Sequence, residues 1–438
     1  MKRSMFEAFD YLLLVCVLAL VATGIAFIYS SGINSDGILV TNEYIKQIVW
    51  ASVGLVFVVF FAFYDYRRFE RYVRWLYAGL LLVLIYTRIF GRYVNGARSW
   101  IGLGDFGIQP SEFGKVIFIF MLARYLSNSV QENQIKRLVV ASLILAGPAG
   151  LILIQPDFGT ASVYIPIFFI MCFLAGIPGR YLLFMLGAGV SAIVFTVLPV
   201  WNEYIMHGSA AFTVLLTNSK IKIAITLLVA VLCSVCMVFR HYFHGAKYFY
   251  WIAYALAIIT LGLLCSVGAS KVMKPYQIQR LIVFMDPSVD PLGSGWNIIQ
   301  SKIAIGSGGV FGRSFLHGTQ SHYRFLPQQS TDFIFSILSE EWGFAGGIFI
   351  LLLFMIVIIR TLYIIRNCQS RFGTYIAAGI LGMFVIHFFI NVGMVMGMMP
   401  ITGIPLLFLS YGGSSLLTAM SCVGILMSIS SHKFHFSS

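Results

Sequence analysis

About twelve apolar runs, each long enough to cross roughly 30 Å of hydrocarbon as a helix, leave this chain few ways to fold. They lie at residues 11–31, 44–64, 73–90, 112–127, 138–155, 160–178, 182–200, 220–239, 250–268, 344–365, 374–396 and 405–430. The expected fold class is therefore all-α: a polytopic integral membrane protein forming a single membrane domain over residues 1–438. Of the 438 residues 59% are hydrophobic and only 10% charged, which sets the chain apart from soluble globules. The first run lacks a small-residue cleavage site and is expected to stay as a span. There is no Walker A loop and no GxSxG elbow. Cys233 and Cys236 form a CxxC inside an apolar run, a poor setting for redox or metal chemistry. The eight histidines show no zinc-ligand spacing and read as structural or interfacial.

Lysine and arginine in the short connections set an orientation. Lys2 and Arg3, Arg67 to Arg74, Lys136 and Arg137, Arg180, Arg240 and Lys247, Arg366 and Arg371, and Lys433 all fall on one side. That side is expected to be cytoplasmic and to hold both termini, which puts the long polar segment at 271–330 outside. Yet Arg88, Arg92, Arg98, Lys271, Lys274, Arg280, Lys302, Arg313 and Arg324 sit on the outer side, against the rule. Either phosphate groups are bound there, or these cations pair with nearby acids and lipid headgroups. The net charge of +13 fits basic cytoplasmic loops and leaves room for an anionic lipid substrate.

Four polar stretches interrupt the apolar pattern. In Gln109-Pro110-Ser111-Glu112-Phe113-Gly114-Lys115, the proline and serine mark a helix start, with an acid in its first turn. Glu112 and Lys115, three apart, share a helix face and either decorate the rim of a span or line a polar cavity within the membrane. In Gln155-Pro156-Asp157-Phe158-Gly159-Thr160, Asp157 either caps the following helix or supports a site. The long segment holds Asp286 and Asp290, each before a proline and so each able to form a turn. Asp290 is followed by Gly293-Ser294-Gly295 and lies among phosphate-suited cations, where a carboxylate could act as general base for a sugar hydroxyl. Finally, Asn391 to Ser415 is dense in glycine and proline, so its backbone should line a cavity or be buried in protein, or else form a packing hinge.

Together these stretches closely resemble the SEDS family (shape, elongation, division and sporulation). The carriers, in family order between residues 95 and 415, are NGARSW, QPSEFGK, QPDFGT, DPLGSG, QSKIAIGSGGVFG, GTQ, TDFIF, EEWGF and NVGMVMGMMPITGIPLLFLSYGGSS. FMDPSVDPLGSG is similar to the elongation branch; other branches tend to carry Asn-Pro where Asp286-Pro287 stands. The resemblance implies a peptidoglycan glycosyltransferase that polymerises lipid II at the outer face of the bacterial cytoplasmic membrane, partnered by a class B penicillin-binding protein and by other proteins of the elongation complex. It implies Asp290 as the catalytic acid-base residue, and Glu112, Lys115 and Asp157 as cavity residues. Arg98, Lys115 and Lys302 would then steady a leaving pyrophosphate, with a divalent cation (Mg or Mn) as a possible helper and no certain cofactor. Departures are Gln328 for the usual glutamate, Leu407 for the usual proline, and about twelve spans against the family's ten. The surplus is expected as a helical pair at 201–249, since an even insertion preserves the sidedness of every later segment.

Two other functions compete: a lipid II flippase using the same cavity, and a non-catalytic scaffold for cell-wall synthesis. Sidedness favours an enzyme, because the acids and cations collect outside, whereas a flippase needs a comparable polar route from the cytoplasmic leaflet.

Overall fold

Each predicted apolar run holds a helix, and several helix starts carry the signals the sequence shows. The computed structural model describes residues 9–94, 97–102, 107–204, 218–243, 247–272, 275–291 and 293–432. The first helices are α1 (Tyr11–Ser31), α2 (Glu43–Phe63), α3 (Arg68–Phe90), α4 (Pro110–Asn128), α5 (Gln134–Ile154) and α6 (Phe158–Leu174). They are followed by α7 (Gly179–Tyr204), α8 (Ser219–Tyr242), α9 (Lys247–Val272), α10 (Pro275–Met285), α11 (Ser294–Ser307) and α12 (Thr319–His322). The chain closes with α13 (Ile334–Asn367), α14 (Arg371–Val395) and α15 (Gly413–Ser431). Asp10 caps α1 by accepting from Leu13 N at 3.1 Å, and α4 begins on a proline, as capping chemistry dictates.

Ten of these helices are long and apolar enough to cross a membrane, so the chain is a multi-span helical membrane protein. Two more occupy the fourth and sixth predicted positions. α4 carries Glu112, Lys115 and Arg124, and α6 has only 17 residues. The polar stretch after α3 forms a short antiparallel hairpin, β1 (Arg92–Val94) with β2 (Ala97–Trp100). The long segment after α9 is not an irregular loop, since α10, a 3-10 turn at Pro287–Val289, α11 and α12 all lie within it. The run expected at 405–430 starts its helix only at Gly413. The long helix α13 breaks at Gly343, whose φ of 65° is left-handed; glycine accepts that conformation at little cost.

Internal contacts group the described residues into two units, 1–177 with 300–438, and 178–299. In the first, α15 runs buried along α2, α14 packs on α4, α6 and α13, and α1 packs on α13. Between α14 and α15 the backbone is non-helical, and its later part is enclosed. Leu406, Leu407, Phe408, Leu409 and Ser410 are all buried. A Cβ on Gly24 would lie 2.6 Å from Leu409 O, and one on Gly159 would lie 2.3 Å from Thr402 O. Two glycine-bearing helices thus let this backbone approach, which satisfies the requirement that irregular chain at membrane depth be buried in protein.

In the second unit α9 packs against α7 and α8, and α10 against α7. Lys222 is buried on α8 and donates to Ser266 Oγ on α9 and, at 3.2 Å, to Phe195 O on α7. Of the region 201–249, the described residues contain one span-length helix, α8; residues 205–217 and 244–246 lie outside the described residues. Lys2, Arg3, Lys274 and Lys433, used above to orient the chain, lie outside them too.

Candidate active site

The first turn of α4 carries the chemistry expected of it, and does so indoors. Pro110 sets the helix start, Glu112 lies in the first turn, and Lys115 follows one turn later on the same face. Lys115 Nζ lies 2.8 Å from Glu112 Oε1, and both side chains are almost wholly shielded. Burying such a pair is costly unless further hydrogen bonds support it. One comes from α14: His387 Nε2 is 3.1 Å from Lys115 Nζ. Among the described residues the second carboxylate oxygen, Glu112 Oε2, is buried without a hydrogen-bond partner, as is the hydroxyl of Ser111.

Around this pair the helix starts are tied together. Gln109 Nε2 donates to Asp157 Oδ2 at 2.7 Å, and Gln109 N donates to Ser414 Oγ at 3.0 Å, which links α4 to the heads of α6 and α15. Asp157 caps α6, accepting from Thr160 N at 3.1 Å and Thr160 Oγ1 at 2.9 Å. Burial pushes its carboxyl above the usual carboxylate range, while the two Thr160 bonds and Lys115 pull it back and Glu112 adds to the rise. The structure therefore brings Glu112, Lys115 and Asp157 into one polar neighbourhood, and Asp157 is also a cap.

The other expected residues have local surroundings of their own. Arg98, on β2, is exposed and its guanidinium donates to Ile89 O at 3.3 Å. Lys302 is exposed on α11. Asp290 belongs to the second unit, where its carbonyl accepts from Gly295 N at 3.0 Å. Its carboxylate lies over Gly293, close enough that a Cβ there would come within 2.4–2.5 Å of both oxygens. Asp286 has a different task. Its Oδ1 accepts from Ser288 Oγ and Ser288 N and caps the 3-10 turn; these two bonds hold its carboxyl below the usual range.

Two findings lie beyond the sequence reading. Spacing alone groups His387 with the structural histidines, yet it contacts Lys115 directly. Its signal is the interval to Asn391: two polar side chains four apart, on one face of an apolar helix. Asn391 Nδ2 donates to Ile404 O and Asp332 O, and His387 Nδ1 to Pro405 O, so both hold the irregular segment. Glu340 and Glu341 are not solvated loop charges. Glu340 accepts from Gln320 N at 2.8 Å and Thr319 Oγ1 at 3.0 Å; Glu341 accepts from Ser30 Oγ and, at 3.1 Å, from Leu316 N. Among the described residues no three His, Cys, Asp or Glu side chains gather as a metal site.

The model of the cell cycle protein family FTSW_RODA_SPOVE matches residues 10–214 and 200–435. The chain belongs to that family. The SEDS resemblance read from the motifs is thereby confirmed over nearly the whole chain. The chain is 52% identical over 425 residues to the peptidoglycan glycosyltransferase RodA of Treponema pallidum, covering 97% of this chain and 98% of that one. It is 32% identical to the peptidoglycan glycosyltransferase MrdB of Escherichia coli K12, covering 97% and 94%. A solved chain from a peptidoglycan synthase complex, described as coordinating polymerization and crosslinking, superposes with a TM-score of 0.65 at 24% identity, covering 97% and 98%. That likeness supports the SEDS membrane fold.

Proposed function

We propose that this SEDS protein is a peptidoglycan glycosyltransferase of cell elongation, polymerising lipid II at the outer face of the bacterial cytoplasmic membrane. The observation that carries this is the 52% identity, end to end on both chains, to a protein named for that activity. The 4-hydroxyl of the acceptor sugar attacks the anomeric carbon of the lipid-linked donor strand. A new C–O bond forms as the bond to undecaprenyl pyrophosphate breaks, with inversion. Asp290 accepts the hydroxyl proton as general base. Lys115, Arg98 and Lys302 stabilise the charge that develops on the pyrophosphate, and Glu112 and Asp157 shape the polar neighbourhood in which it is bound. With no protein-built metal cluster among the described residues, a divalent cation would rest on one carboxylate and on phosphate oxygens of the substrate itself; no step is assigned to one.

A class B penicillin-binding protein is the proposed partner, in keeping with the synthase complex that contains the similar solved chain. Both termini are proposed to be cytoplasmic and the 271–330 segment extracytoplasmic. An insertion is proposed in the 201–249 region, which lies inside the second family-model match. Since α8 is the one described span-length helix there, an even insertion pairs it with a neighbouring helix. The deciding experiment is polymerisation of labelled lipid II by the purified protein, with and without that partner. Glycan strands are expected in both arms; lipid II left unpolymerised in both would return the flippase and scaffold readings.

A further inference from the structure

We infer that His387 is a positioning residue of this site, acting on substrate only through Lys115. The inference rests on Glu112 and Lys115 belonging to the glycosyltransferase site. The hydrogen bonds fix the imidazole's state. Pro405 O can only accept, so Nδ1, 3.0 Å away, carries the proton. An ammonium can only donate, so Nε2, 3.1 Å from Lys115 Nζ, presents its lone pair. The ring is therefore neutral, of one tautomer, and clamped at both ends.

That clamp decides where the ammonium sits. Lys115 has three donors. One goes to Glu112 Oε1 and one to His387 Nε2, two acceptors on different helices that together fix the nitrogen. The remaining donor and the unpartnered Glu112 Oε2 are then held as a donor and an acceptor for a substrate group. Without the imidazole, the flexible lysine stem would have one anchor, and the ammonium could swing to either carboxylate oxygen. The backbone under the clamp is itself held, because Asn391, one turn further along α14, binds the adjacent Ile404 carbonyl.

A satisfied core histidine would serve merely to pin the Pro405 segment, and two substitutions separate these roles. In His387→Asn the amide stands near the place of Nδ1 and can keep the bond to Pro405 O while losing Lys115. In His387→Gln it reaches the place of Nε2 and can accept from Lys115. Both variants are purified full length with their unfolding temperatures measured. His387→Asn should lose about 10²-fold in lipid II polymerisation, the order expected from a misplacement near 1 Å, while His387→Gln keeps most activity. Reductive methylation followed by mass spectrometry reads Lys115 itself: its labelling should rise in the asparagine variant and stay low in the glutamine one. Active asparagine with inactive glutamine, loss in both, or loss in neither overturns the proposal, as does Lys115 labelling that is the same in both variants. If the unaltered protein makes no glycan, the glycosyltransferase reading falls, and the labelling comparison still decides whether His387 holds Lys115.

Discussion

Two aspartates four residues apart show how similar sequence contexts come to hold different chemistry. Both precede proline, yet Asp286 spends its carboxylate on Ser288, while Asp290 lays its own over a glycine. Depressed by its Ser288 bonds, the Asp286 carboxyl supports its turn above the ordinary value of 3.8, and that support is lost as the pH falls below it. Asp290→Asn should lower polymerisation by about 10²–10⁴, the usual contribution of a positioned acid–base group, and Asp286→Asn by far less. Gly293→Ala should also lower it, because a Cβ would push the Asp290 carboxylate aside without changing its chemistry. Initial rates with labelled lipid II, compared at equal folded protein, check all three. An Asp290→Asn protein that polymerises at the normal rate removes the base assignment.

At the level of helices, a buried arginine joins three elements. Arg137, in the first turn of α5, is 1% exposed and has no carboxylate among its described partners. Its guanidinium instead donates to Leu126 O near the end of α4, Ala175 O at the end of α6 and Ser129 Oγ. Helix C-termini leave carbonyls without intrahelical partners and carry partial negative charge, and a cation there satisfies both. Arg137→Met should therefore destabilise the protein by about 1–3 kcal/mol, the cost of leaving buried acceptors unpaired. Lys136→Met one residue earlier, which breaks only an exposed pair with Glu132 at 3.3 Å, should cost little. Thermal unfolding of the purified variants tests the contrast, and equal midpoints would count against the capping role.

Across the whole molecule, parity of spans governs which face each polar segment meets. Excising both α8 and α9 should leave later segments on their original side, whereas excising α8 alone should invert them. A cysteine at the exposed Ser288, probed with a membrane-impermeant maleimide, reports the side directly. The full-length protein and the two-helix deletion should label from outside and the one-helix deletion should not. Labelling of full-length protein only from the cytoplasmic face would overturn the proposed topology.

Helical, membrane-spanning architecture was legible in the sequence because a bilayer imposes one dominant demand, about twenty apolar residues in a row, and that demand is local. The Glu112–Lys115 pair and the Asp157 cap were legible for the same reason, since their partners lie three residues away. What stayed hidden depends on contacts between residues far apart in the chain. His387 meets Lys115 across 272 positions, and Glu341 meets Ser30 across 311. The run at 405–430 looked like one span because its leucines and phenylalanine are apolar; the close approach of Gly24 to Phe408 and Leu409 gives the non-helical first part somewhere to bury its backbone. Sequence by itself determined that the chain is a multi-span helical membrane protein and which short-range pairs form. Tertiary structure alone decided which buried charges are partnered, because a partner supplied by another helix leaves no periodic trace in the chain that needs it.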